Sequence, residues 1–173
     1  MIVWLVGLPS SGKTTIGERV AKLTGSAFLD GDVVRETSLS NDLGFSREDR
    51  TRHLLRVGAV AKMLDQFAPH VICAFICPYE EVRKQLPIDL LVYVKCPIEV
   101  CMARDVRGLY ARAKTGQIRG FTGYDAPFEE PTTPDLILPT DKRSIEECVT
   151  CLLEAISSHP ECRQSNTNCY QSR

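Results

Sequence analysis

Eight residues, Gly7-Leu8-Pro9-Ser10-Ser11-Gly12-Lys13-Thr14, leave this chain little freedom of architecture. A G-x-x-x-x-G-K-[ST] loop holds phosphate only as the turn between a buried strand and the N-terminus of a helix, where backbone N–H groups and the helix dipole meet one anion. Both flanks agree. Residues 2–6, Ile-Val-Trp-Leu-Val, read as a fully buried strand, and residues 13–23 set Ile16, Val20 and Leu23 on one helical face. Gly12 lets the backbone approach the anion. Residues Gly7, Leu8, Pro9, Ser10, Ser11, Gly12, Lys13, Thr14 and Thr15 are then the expected cradle for ATP. Lys13 neutralises the β- and γ-phosphates, and Thr14 offers its hydroxyl to Mg²⁺. As an exposed loop side chain, Lys13 is expected to contribute nothing to core packing.

Beyond the loop, short apolar runs alternate with amphipathic stretches, the pattern of crossover units and a parallel sheet. Strands are predicted at 2–6, 27–29, 71–76, 90–95 and 136–138, and helices near 13–23, 47–67, 79–85, 97–105 and 144–156. The last helix is the clearest. Ile145, Cys148, Val149, Leu152, Leu153 and Ile156 share one face, behind a Ser144 cap with Glu147 three residues on. No repeat or interdomain linker interrupts the chain, so one domain over 1–156 is expected, followed by a polar, disordered tail over 157–173. Gly108–Pro134, rich in Gly, Thr, Pro, Arg and Lys, has no sustained apolar period. A loop of that length in a small domain reads as a lid, about 107–134.

With 173 residues, 43% of them hydrophobic, the chain can bury a substantial core, and a net charge of −1 argues against a nucleic acid polymer as partner. The opening apolar run is too short to span a membrane and lacks a charged leader, so a cytoplasmic protein with no membrane partner is expected. Eight cysteines do not read as a disulfide framework. Cys73, Cys77, Cys96, Cys148 and Cys151 lie in or beside apolar runs and suit buried thiols, whereas Cys162 and Cys169 fall in the tail and read as exposed. Cys148, Cys151, His159 and Cys162 have no standard zinc spacing.

Phosphoryl transfer needs a carboxylate near the loop for the metal or for the acceptor hydroxyl. In AFLDGDVVR the apolar triplet ends at Asp30, and Gly31 turns the chain to present Asp32 and then Arg35. Two carboxylates and a cation at a strand's C-terminal edge suit metal binding, deprotonation of an alcohol and an anionic acceptor. The same residues also suit a polar turn with a helix N-cap. Asp30 is read as the metal ligand beside Thr14, and Asp32 as the group that handles the hydroxyl.

These and later stretches resemble the adenylylsulfate (APS) kinases, which phosphorylate the 3′-hydroxyl of adenosine 5′-phosphosulfate with ATP. GLPSSGKTT, LDGDVVR, DLGFSREDR, CPYEEVR and RDVRGLYARAKTGQIRGFTGYDAPFEEPTTPDLIL are similar to successive signatures of that family from about residue 5 to residue 150. The lid run is the most diagnostic, since other small P-loop kinases lack it. The resemblance implies a three-layer α/β/α P-loop fold like that of the nucleoside-monophosphate kinases, with a parallel five-stranded sheet and a lid. It also implies ATP and Mg²⁺, small-molecule nucleotide substrates, and a homodimer in some members. Phe45 and Phe121 match the phenylalanines that stack the acceptor adenine, and Arg35 and Arg50 match the arginines on its phosphosulfate. Arg107 is expected on the same substrate. Arg104 is expected on the donor nucleotide, with Arg112, Lys114 and Arg119 closing positive charge over the site.

The departures concentrate on the acceptor side. Val33 stands where the family has asparagine after its DGD motif, His53 where an asparagine contacts the acceptor, Leu55 for an arginine and Ala59 for a glutamate. Cys77 replaces a serine regarded in some members as a phosphoryl carrier; in its apolar setting the thiol pKa should rise, which favours direct in-line transfer. The extension that often precedes the first strand is absent before Met1, so a function carried by it is not expected. Two alternatives stand beside an adenylylsulfate kinase. One is a kinase of the same fold acting on another nucleotide-linked acceptor, such as a cytidine diphosphate derivative. The other is a catalytically silent nucleotide-binding module.

Overall fold

Five strands, β1 (Ile2–Val6), β2 (Ala27–Asp30), β3 (Val71–Phe75), β4 (Leu90–Lys95) and β5 (Leu136–Pro139), form one sheet in the computed structural model, which describes residues 1–160. All neighbours pair in parallel, in the spatial order β2-β3-β1-β4-β5. The helices are α1 (Lys13–Thr24), α2 (Gly31–Glu36), α3 (Arg47–Leu64), α4 (Glu80–Arg83), α5 (Ile98–Arg104), α6 (Leu109–Lys114) and α7 (Ile145–Ser158). The expected α/β fold with a parallel five-stranded sheet is therefore present.

Period-two alternation divides the strand side chains between two cores. Trp4, Val6, Cys73 and Phe75 face α3 and pack with Leu54, Val57 and Ala61. Val3, Leu5, Ile72, Val92 and Val94 face the other way, against Ile16 and Val20 of α1 and Cys148, Leu152 and Ile156 of α7. Covering both faces is why the central strands read as unbroken apolar runs rather than alternating ones. Trp4 is wholly buried because its indole N–H finds Pro87 O at 3.1 Å. β1 is the middle strand, flanked by β3 and β4, so its C-terminal end opens where the crossovers diverge and where ligands of such sheets bind.

Local signals fixed the ends of several elements. Ser144 and Glu147 form the expected capping box on α7, and Ser46 accepts from Asp49 N to start α3. The structure corrects the expected ends elsewhere. The strand predicted at 71–76 stops at Phe75, the helix at 47–67 stops at Leu64, and that at 79–85 shrinks to Glu80–Arg83. α7 continues to Ser158, two residues into the expected tail. α6 was not foreseen and α2 only through the helix N-cap read around Asp30, since six residues are too few to display a helical period. α6 lies within the segment expected to be a plain lid loop. Cys162 and Cys169 lie outside the described residues. Among those residues no helix is long and apolar enough to cross a membrane.

Candidate active site

The loop after β1 is shaped by contacts that few residues tolerate. A Cβ on Gly7 would lie 2.5 Å from Val94 O of β4, and Gly12, which precedes α1, has φ +102°. Substitution at either would push the loop off the strand or strain it. Lys13 is the first residue of α1 and, contrary to the expectation of an exposed loop side chain, is 8% exposed. Its Nζ folds back over the loop to donate to Leu8 O at 2.6 Å and Ser11 Oγ at 3.4 Å. Burial pushes its pKa down to about 8, against the opposing pull of nearby acidic groups that include Asp30 and Asp32. Thr14 and Thr15 are exposed on the first turn of α1.

Asp30, the last residue of β2, caps α2 with one carboxylate oxygen and meets Thr14 with the other. Its Oδ1 accepts from the backbone N of Asp32 at 3.0 Å and of Val33 at 3.4 Å, capping α2, while Oδ2 accepts from the Thr14 hydroxyl at 2.7 Å. Two hard oxygen donors thus stand side by side at the foot of the phosphate loop. Such a pair fits Mg²⁺, which takes few protein ligands and completes its octahedron with phosphate and water oxygens. Asp32 lies on the exposed first turn of α2 and pairs with Arg107 at 2.6 Å.

Beside this edge opens a cavity of about 490 Å³. It gathers Lys13, Thr14, Asp30, Asp32, Arg35, Phe45, Arg50, His53, Arg107 and Phe121, nearly the whole set named from the sequence on the acceptor side. Its lining carries six basic side chains, the other two being Arg112 and Arg119, against two acidic ones, a field suited to polyanions. Arg35 donates to Gly44 O at 3.0 Å and lies over the Phe45 ring, 4.5 Å from its centroid. Arg50 donates to Phe45 O at 2.8 Å and reaches across to Gly120 O and the Thr122 hydroxyl of the segment expected to be a lid. Phe45 is 67% exposed at the rim, and Phe121 meets Tyr110 edge-on at 4.9 Å. His53 is buried, with Nδ1 2.8 Å from Ser40 Oγ and its ring against Phe75.

Arg104 is placed differently. It binds Thr140 O at 2.6 Å, and the Thr140 hydroxyl in turn donates to Ser11 O at 2.8 Å. Arg104 therefore borders the phosphate loop through Thr140, outside that cavity. The segment 107–134 also meets the loop where the Tyr110 hydroxyl donates to Pro9 O at 3.2 Å. Cys77 follows β3 in a left-handed conformation, φ 45°, and its carbonyl accepts from Arg83 at 2.6 Å. Burial raises its thiol pKa to about 12, the direction expected from the sequence.

The model for adenylylsulphate kinase matches residues 1–139 of the chain. The chain belongs to the adenylylsulphate kinase family. It is 42% identical over 166 residues to an adenylyl-sulfate kinase of a Synechococcus strain, covering 91% of this chain and 94% of that one. It is 44% identical over 165 residues to that of Chloroflexus aurantiacus, covering 90% and 88%. The Mycobacterium tuberculosis APS kinase in complex with AMPPNP and APS superposes with a TM-score of 0.83 at 36% identity, over 91% of this chain and 97% of that one.

Within an adenylylsulphate kinase frame, the sequence left Ser40, Thr122 and Thr140 unnoticed. Thr140 had a usable signal, since it follows the fifth apolar run at the sheet's carboxyl edge. Ser40 and Thr122 had none, because each acquires its partner from another element.

Proposed function

We propose that the chain transfers the γ-phosphoryl group of ATP to the 3′-hydroxyl of adenosine 5′-phosphosulfate, giving 3′-phosphoadenylyl sulfate and ADP in the cytoplasm. The observation that carries this reading is one cleft in which an intact phosphate loop, two carboxylates and a cationic, aromatic-rimmed cavity adjoin, in a chain of this family.

The loop backbone and Lys13 hold the β- and γ-phosphates, and Arg104 borders the donor nucleotide. Thr14 and Asp30 would hold Mg²⁺, which when bound neutralises charge on the phosphates. Asp30 already serves three donors, so Asp32 is the carboxylate with capacity to take the acceptor's proton. For that it exchanges Arg107 for the hydroxyl, leaving Arg107 to the phosphates. Phe45 and Phe121 grip the adenine, while Arg35 and Arg50 bind the phosphosulfate. Cys77 is not a phosphoryl carrier, because a buried thiol with so high a pKa supplies almost no thiolate at neutral pH.

The test is to measure ADP release from Mg-ATP with a panel of nucleotide acceptors. Adenosine 5′-phosphosulfate should exceed all others. A cytidine diphosphate derivative in first place would favour the acceptor exchange suggested by His53, and no turnover with any acceptor would leave a silent binding module. Phe121→Ala should raise the acceptor KM ten- to a hundredfold with little change for ATP, since aromatic stacking on a base is worth roughly 1–3 kcal/mol.

A further inference from the structure

Ser40 lies in the turn after α2 and is 1% exposed. Among the described residues its hydroxyl has one side-chain partner, His53 Nδ1 at 2.8 Å. A hydroxyl has one donor and two acceptor sites, and a buried donor left unpaired is costlier than an unfilled lone pair. The low-cost arrangement therefore has Ser40 donating and Nδ1 accepting.

Burial, then the charges of Arg35 and Arg56, hold the His53 pKa down to about 4, so the ring is neutral at physiological pH. A neutral imidazole carries one proton, and with Nδ1 as acceptor that proton is on Nε2. Phe75, with ring centroids 5.7 Å apart, packs against the imidazole. Nε2 has no protein partner among the described residues, and the unpaired nitrogens sealed from solvent belong to His70 and His159, not to His53. His53 lines the cationic cavity, three residues along α3 from Arg50 and therefore on the same helix face.

We infer that Ser40 is a positioning residue that locks His53 in the Nε2–H tautomer, so that the imidazole acts as a neutral hydrogen-bond donor to an oxygen of the acceptor's anionic tail beside Arg35 and Arg50. The chemistry is selective. A tail ending in oxygens that only accept, as in a phosphate or phosphosulfate, is matched by Nε2–H, whereas a tail presenting an N–H or O–H donor there meets a second donor. The family's amide offers both a donor and an acceptor; this histidine, held by Ser40, offers only the donor.

The inference rests on the acceptor occupying this cavity, and the experiment separates the two. In wild-type protein labelled with nitrogen-15 at histidine, the His53 signals are identified by their loss in His53→Asn. At neutral pH they should show an unprotonated Nδ1 and a protonated Nε2; the opposite tautomer overturns the proposal even if Ser40→Ala fails to fold. Ser40→Ala should let the tautomers mix and raise the acceptor KM about three- to tenfold, with kcat and the ATP KM nearly constant. If Phe121→Ala raises the acceptor KM while Ser40→Ala leaves both KM and tautomer unchanged, the lock is wrong and the acceptor site stands. If neither substitution moves the acceptor KM, the acceptor lies elsewhere and both readings fall.

Discussion

Lys13→Ala is expected to lower kcat for phosphoryl transfer by about a thousandfold or more, the scale on which loss of one group aimed at developing phosphate charge is felt. The fold should survive. Lys13 is buried, which at first argues against so mild a structural effect, but burial does not make it a support. Its pKa of about 8, well below the ordinary lysine value, means that the native protein holds this ammonium at a cost rather than gaining stability from it. Its two hydrogen bonds go to the loop it covers, Leu8 O and Ser11 Oγ, and the loop's path is independently set by Gly7 against Val94 and by the left-handed Gly12. Calorimetry of the variant should give a melting temperature within a few degrees of wild type, and ADP release with saturating ATP and acceptor should nearly vanish. Turnover equal to wild type would remove the phosphate loop from the mechanism.

Most of the sheet and much of the candidate site, as a set of residues that line one cavity, could be read in the sequence because they rest on local rules. The phosphate loop announces both its flanking elements, and the Ser144–Glu147 capping box with a seven-residue apolar repeat announces α7. Asp30 stood out because it ends an apolar run, and the helix cap suggested for it is present: one oxygen caps α2 and the other meets Thr14. What the sequence concealed is what depends on distance along the chain. The segment 107–134 docks through Arg50 on Gly120 and Thr122, and through Arg107 on Asp32, contacts that no periodicity encodes. Lys13 looked exposed because the motif specifies its position but not that its side chain folds back over the loop onto Leu8 O and Ser11 Oγ. His53 was visible as a departure from the family pattern; the Ser40 hydroxyl behind it was not, because a turn serine is usually solvated.

Asp30→Asn and Asp32→Asn should each lower kcat, yet in ways that differ enough to assign their roles. Asparagine is as good an N-cap as aspartate, so Asp30→Asn can keep its Oδ1 contacts to Asp32 N and Val33 N and leave α2 in place. Its second terminal atom becomes an NH₂ facing the Thr14 hydroxyl, where a cation would need an oxygen. The expected result is a loss of about a hundred- to a thousandfold in kcat together with a marked rise in the Mg²⁺ concentration needed for half-maximal rate. Asp32→Asn removes an exposed carboxylate that makes no contact with Thr14, and its loss, on the order of a hundredfold or more, should leave the Mg²⁺ requirement unchanged. The partner Arg107 sharpens the contrast. Freed from Asp32, it stays in the cavity as an unpaired cation, so acceptor binding in Asp32→Asn should be preserved or tightened while the chemical step slows. A Mg²⁺ titration of both variants at saturating ATP decides the assignment. If Asp32→Asn shifts the Mg²⁺ requirement and Asp30→Asn does not, the metal and hydroxyl roles given to the two residues must be exchanged; if neither shifts it, the pair formed by Thr14 and Asp30 is not the metal's protein ligand set.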